Sequence, residues 1–142
     1  MEQLIIRMEN YLECWKQFNT FMTMGRSKKF SQEDENQFLE IKSVITQELE
    51  LILCSIDCGP VSREEVHGLI AGAPSIRYLS EMNENALRNV ENNWHKLFIS
   101  LQSLLGQLKV KQGQVESKSM WSSLFGKRNG VFLRNVRIGG PT

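Results

Sequence analysis

Residues 2–24 read EQLIIRMENYLECWKQFNTFMTM, and within them Leu4, Met8, Tyr11, Trp15, Phe18 and Met22 recur at spacings of 4, 3, 4, 3 and 4. That alternation keeps one stripe of a helix apolar along its whole length, the seam of a helix packed against others. It predicts a first helix over residues 2–24. Gly25 stands where a left-handed C-cap is expected, followed by the cations Arg26, Lys28 and Lys29 at the negative end of the helix dipole.

The same period continues downstream. Ser31 is followed by Glu33, Asp34 and Glu35, an N-cap hydroxyl with acids in the first turn, and the stripe then reads Phe38, Ile41, Ile45, Leu49, Ile52 and Ile56, widened by Val44, Leu51 and Leu53. Cys58-Gly59-Pro60 ends this second helix, predicted over residues 32–57. Ser62 and Glu65 have the spacing of a capping box, with Val61 and Val66 at the staple positions, so a short connecting helix starts there. Gly68, Gly72 and Pro74 interrupt it. From Pro74-Ser75, a run of Leu79, Met82, Ala86, Val90, Trp94, Leu97, Leu101, Leu104 and Leu108 predicts one unbroken helix to about Val110, with Gly106 as the place for a bend.

These readings add up to an all-α chain: an antiparallel helical bundle of three long helices plus one short connecting helix over residues 1–112, with coiled-coil-like packing. A basic amphipathic tail over residues 113–142 forms a short helix and strand or a β-hairpin around Asn129-Gly130. The regular seams and the length of the last helix suit further helix–helix packing, in an oligomer or with a partner.

Composition narrows the function. The 142 residues are 41% hydrophobic and 23% charged, a globular balance. No apolar run is long enough for a membrane span, and Met1–Arg7 lacks the pattern of a secretory signal, which predicts a cytoplasmic protein. Three cysteines, Cys14, Cys54 and Cys58, suit reduced thiols better than a disulfide framework. Phosphate-binding glycine loops and G-x-S-x-G nucleophile motifs are missing, and two histidines leave little for acid–base work, so the chain reads as non-enzymatic, with no cofactor and no small-molecule substrate expected. A metal- or redox-active bundle using Cys54, Cys58 and His67 is the rival reading, weakened by the four closed ligands that structural zinc prefers. The pairs Glu64–His67 and Glu91–His95 fit surface roles better than a di-iron site, which needs two Glu-x-x-His motifs.

Charge carries the sharpest clue. The formal +1 divides into −4 over residues 1–116, with 12 Lys+Arg against 16 Asp+Glu, and +5 over residues 117–142, which hold no acid. In that tail Trp121, Leu124, Phe125 and Phe132 interleave with Lys127, Arg128, Arg134 and Arg137. Apolar anchors beside arginine suit a protein partner or a second copy of the chain. The same pattern suits peripheral attachment to an anionic membrane surface. Nucleic acid is unlikely as a partner, given an acidic body and a pI near neutrality.

Overall fold

The computed structural model describes residues 2–56 and 61–115, and among them every regular element is an α-helix. In chain order these are α1 (Glu2–Ser27), α2 (Gln32–Ser55), α3 (Arg63–Ala71), α4 (Ile76–Ser80) and α5 (Glu84–Val115). The chain divides into two compact units, Glu2–Leu105 and a second that starts at Gly106, so the boundary falls within α5. The packing described below is that of Glu2–Leu105.

α1 forms the centre of the unit. Its buried residues are Ile5, Met8, Tyr11, Leu12, Trp15, Phe18, Phe21, Met22 and Gly25, an arc wider than the single predicted seam. The arc is wide because α1 serves several neighbours. Toward α2, Arg7 pairs with Glu48 at 2.7 Å, the Tyr11 hydroxyl donates to the Ile45 carbonyl at 3.1 Å, and the Phe18 and Phe38 rings meet at 5.2 Å. Numbers rise along α1 as they fall along α2. Toward α5, the Trp94 indole N–H donates to the Trp15 carbonyl at 2.9 Å. Arg26 holds Glu91 through two hydrogen bonds of 2.8 and 2.7 Å and also reaches Glu84 at 2.9 Å.

Two departures from the sequence expectations concern the end of α1. The helix runs past Gly25 to Ser27, and the left-handed residue is Lys28, with φ 61°. Lys29 N–H bonds to the Met24 carbonyl and Lys28 N–H to the Gly25 carbonyl, the paired bonds of a Schellman cap. Lysine tolerates that conformation here with a compensating bond, since its Nζ donates to the Ser80 carbonyl at 2.6 Å. Gly25 has a different duty. A Cβ there would lie 3.0 Å from Leu79 Cβ and 3.2 Å from the Ile76 carbonyl oxygen, so glycine is what lets α4 sit directly on α1.

Ser62 with Glu65 forms the expected capping box at the start of α3, and the Ser31 N-cap of α2 proves to be a full capping box with Asp34. The staple residues Val61 and Val66 are both buried. α3 continues through Gly68 and ends at Gly72, so Gly68 does not interrupt it. The long helix expected from Pro74 is in fact two helices. Ser75 caps α4, the chain turns at Glu81–Asn83, and the Asn83 side chain accepts from Ala86 N–H at 2.8 Å to start α5. Among the described residues, two short helices therefore lie between α2 and α5 instead of one.

α4 has five residues and is too short to persist alone. α2 holds it. The Glu35 carboxylate accepts from Ile76 N–H at 2.8 Å and Arg77 N–H at 2.9 Å, satisfying donors that a helix start leaves open. The Lys42 ammonium, half-buried over the Phe38 ring, donates to the Ala73 and Pro74 carbonyls at 3.0 and 2.6 Å. Arg63 fixes the start of α3 to Glu50 with two bonds of 2.8 Å.

The two glycines make opposite predictions. Gly25→Ala forces a clash with rigid atoms and should destabilise by about 1–3 kcal/mol, as overpacking does. Gly68→Ala meets nothing within 4 Å and should stabilise by about 0.5–1 kcal/mol through helix propensity. Urea unfolding followed by circular dichroism measures both. The acid response follows from the arginine pairs. Arg26 and Arg88 hold the Glu84 carboxyl below its ordinary range, and Arg63 does the same for Glu50. Depressed carboxyl pKa values contribute stability that is present above the unfolded range and lost as pH falls through the folded one. The urea midpoint should therefore drop on acidification, and drop less in a Glu50→Gln/Glu84→Gln double variant.

Candidate functional site

The partner-binding residues read from the tail, Trp121, Leu124, Phe125, Lys127, Arg128, Phe132, Arg134 and Arg137, lie outside the described residues, as does the hairpin at Asn129-Gly130. Cys58 does too. The remaining members of the proposed thiol–histidine set are surface groups: Cys54 and His67 are both exposed. Ile52 is buried, but Cys54 lies two positions further round the helix and leaves the apolar stripe. Among the described residues, no three His, Cys, Asp or Glu side chains gather to hold a metal ion.

Glu91 and His95 were read as a surface pair. The Glu91 carboxylate instead meets Arg26, while the His95 ring lies beside that of Trp94 at 6.5 Å. Arginine wins because its planar fork offers two parallel bonds, and α1 brings it within reach. None of the described helices is long and apolar enough to cross a membrane.

Surface grooves among the described residues of this unit include two with defined linings. The smaller, about 330 Å³, lies between α1 and α2 and is lined by Arg7, Asn10, Tyr11, Cys14, Val44 and Glu48. Cys14 is half-buried there, and burial first, then the nearby Glu48 and Glu13 charges, raises its thiol pKa. A thiol whose neighbours are carboxylates stays protonated, the reverse of what a nucleophile or soft-metal ligand requires. The Arg7–Glu48 ion pair bridges the same groove.

The larger groove, about 410 Å³, runs between α3 and α5. Glu65, Gly68 and Leu69 line one side, and Asn93, Lys96, Leu97 and Ser100 the other. Leu69 and Leu97 are buried, each 6% exposed, and provide an apolar floor. Asn93, Lys96 and Ser100 recur at i, i+3 and i+7, so they share one face of α5. Glu65 already accepts from Ser62 N–H at 3.3 Å in the α3 cap. Sequence reading passed over this groove because its two sides are far apart in the chain. The available signal was Gly68, a glycine in mid-helix.

Large apolar side chains at the surface are scattered. Ile6 on α1, Leu39, Val44 and Leu51 on α2, Tyr78 on α4 and Ile99 on α5 are exposed, and single exposures of this kind are ordinary.

No protein-family model, characterised protein or solved structure matches this chain, so its chemistry rests on its own residues. The thiols provide a direct check. Alkylation at neutral pH followed by peptide mapping should label Cys54 well before Cys14, and Glu48→Gln should narrow the difference by removing a charge that holds the Cys14 thiol protonated.

Proposed function

We propose that this chain is a non-enzymatic interaction protein, an adaptor, assembly factor or chaperone-like module. In this reading residues 1–112 are an antiparallel bundle of three long helices, and residues 113–142 are a basic amphipathic segment that docks a protein partner together with the long last helix. The carrying observation is the charge division: five cations and no acid over residues 117–142, set among Trp121, Leu124, Phe125 and Phe132, on a body of net −4. Aromatic and arginine side chains contribute disproportionately at interface centres, and basic charge speeds encounter with an acidic partner. Supporting it, the half-buried thiol of the body is held protonated, which suits a structural residue.

Deleting residues 117–142 should leave the helical circular dichroism signal in place and abolish capture of the partner in affinity purification with mass spectrometry. Undiminished capture by the truncated chain would remove the tail as the docking element. The same tail carries the features of an anionic-membrane binder, and flotation with anionic liposomes at low and high salt separates the readings. A membrane role predicts liposome binding that weakens with screening, whereas a protein-docking role predicts none.

A further inference from the structure

We propose that the groove between α3 and α5 binds a small amphiphilic carboxylate, with its anionic head at Lys96 and its hydrocarbon chain along Leu69 and Leu97 over the bare backbone of Gly68. This goes beyond the docking role of the tail and does not depend on it.

Three observations meet in this groove. The first is Gly68. It lies within α3, where glycine is less favourable than alanine, yet a Cβ at this position would meet nothing within 4 Å. No contact inside the described chain requires glycine here, unlike Gly25, where two atoms of α4 do. Its missing side chain leaves open groove, and an alkyl chain can lie against helix backbone only where no Cβ intervenes.

The second is the state of the polar groups. The side chains of Asn93, Lys96 and Ser100 form no hydrogen bond or ion pair with other described residues, whereas Arg7, Arg26, Arg63, Arg88 and Lys16 elsewhere in the chain are paired. The acid across the groove, Glu65, is committed to the cap of α3, where its charge faces the positive end of that helix. The groove therefore offers one ammonium flanked by an amide and a hydroxyl. A single carboxylate matches one cation, and a doubly charged phosphate would leave a charge uncompensated.

The third is size and lining. A volume of about 410 Å³ falls within the range of small-ligand sites, which combine an apolar floor with a few convergent polar groups. Leu69 and Leu97 supply that floor.

Octanoate is the probe. Titrated into the full ¹⁵N-labelled chain, it should produce saturable amide shifts around Leu69, Leu97 and Ser100, with a Kd on the order of 1 mM expected for so small a ligand. Lys96→Gln should weaken binding about tenfold, the size of one lost charge-assisted contact. Gly68→Leu should abolish binding by filling the groove, while Gly68→Ala, which raises stability, should weaken it. Octylammonium, with the same chain and the opposite charge, should give no saturable shifts. The proposal is overturned if octanoate gives none either, if octylammonium binds as well as octanoate, or if Lys96→Gln binds as tightly as the parent chain. Because residues 117–142 take no part, octanoate binding and tail-dependent partner capture succeed or fail separately.

Discussion

The Trp94 indole donates its N–H to the carbonyl of Trp15, and the placement of α5 on α1 depends on that contact. A tryptophan buried at 9% exposure must find an acceptor or lose the full desolvation cost of its N–H, about 1–3 kcal/mol. Few side chains of α1 could supply one, because the facing residues are apolar; a backbone carbonyl in mid-helix can. The acceptor's own ring sits between Tyr11 and Phe18, with centroids 6.3 and 5.3 Å away, so this level of the core is aromatic throughout. The Trp15 indole N–H is itself buried with no hydrogen-bond partner among the described residues. That unfavourable group persists because the ring fills space that a smaller side chain would leave empty, and emptying it costs about 3–5 kcal/mol.

With α1 and α5 joined by the Trp94 hydrogen bond and the Arg26 ion pairs, charged residues of α2 hold the connections. Glu35, Lys42 and Glu50 of α2 do not pair with one another. Each reaches the segment that follows α2 in the chain: the start of α4, the carbonyls of Ala73 and Pro74, and Arg63 of α3. An exposed ion pair such as Glu50–Arg63 contributes little alone, about 0–1 kcal/mol. A carboxylate on two otherwise open backbone N–H groups matters more, because it replaces hydrogen bonds that five residues of helix cannot make internally. This explains how an element as short as α4 persists, and why Gly25 is needed opposite it. The cap fixes where α4 begins, and the glycine fixes how closely it lies.

Local signals in the sequence were read well where a local cause decides the structure. The 4–3 seam of α1, the N-cap at Ser31, the capping box at Ser62 and the staple positions Val61 and Val66 all express interactions within a few residues. The turn at Glu81–Asn83 does not. Neither glycine nor proline stands there, and the apolar period passes through Leu79, Met82 and Ala86 without a fault. The break occurs because Ile76 and Leu79 are both drawn fully into the surface of α1, a tertiary gain that outweighs helix continuity, while Asn83 supplies the new cap. Gly25 misled for a related reason: a capping glycine and a packing glycine look alike until the neighbour across the interface is known. The charge division at residue 117 was visible at once, since composition needs no fold. The α3–α5 groove was invisible, because no pattern in sequence links Gly68 to Lys96.

The separation between frame and groove has a physical basis. Contacts that fix the helices of this unit run through α1 and through α2's reach to α3 and α4. The residues lining the α3–α5 groove contribute Leu69 and Leu97 to the core but leave Asn93, Lys96, Ser100 and Gly68 outside the network that maintains the fold. A surface whose polar groups are unneeded by their own chain can change without loss of stability. It can equally keep an unfavourable glycine without gain to the fold. Gly68 is a residue of that second kind: its helix would be more stable with alanine, so what it contributes is the space left by its missing side chain.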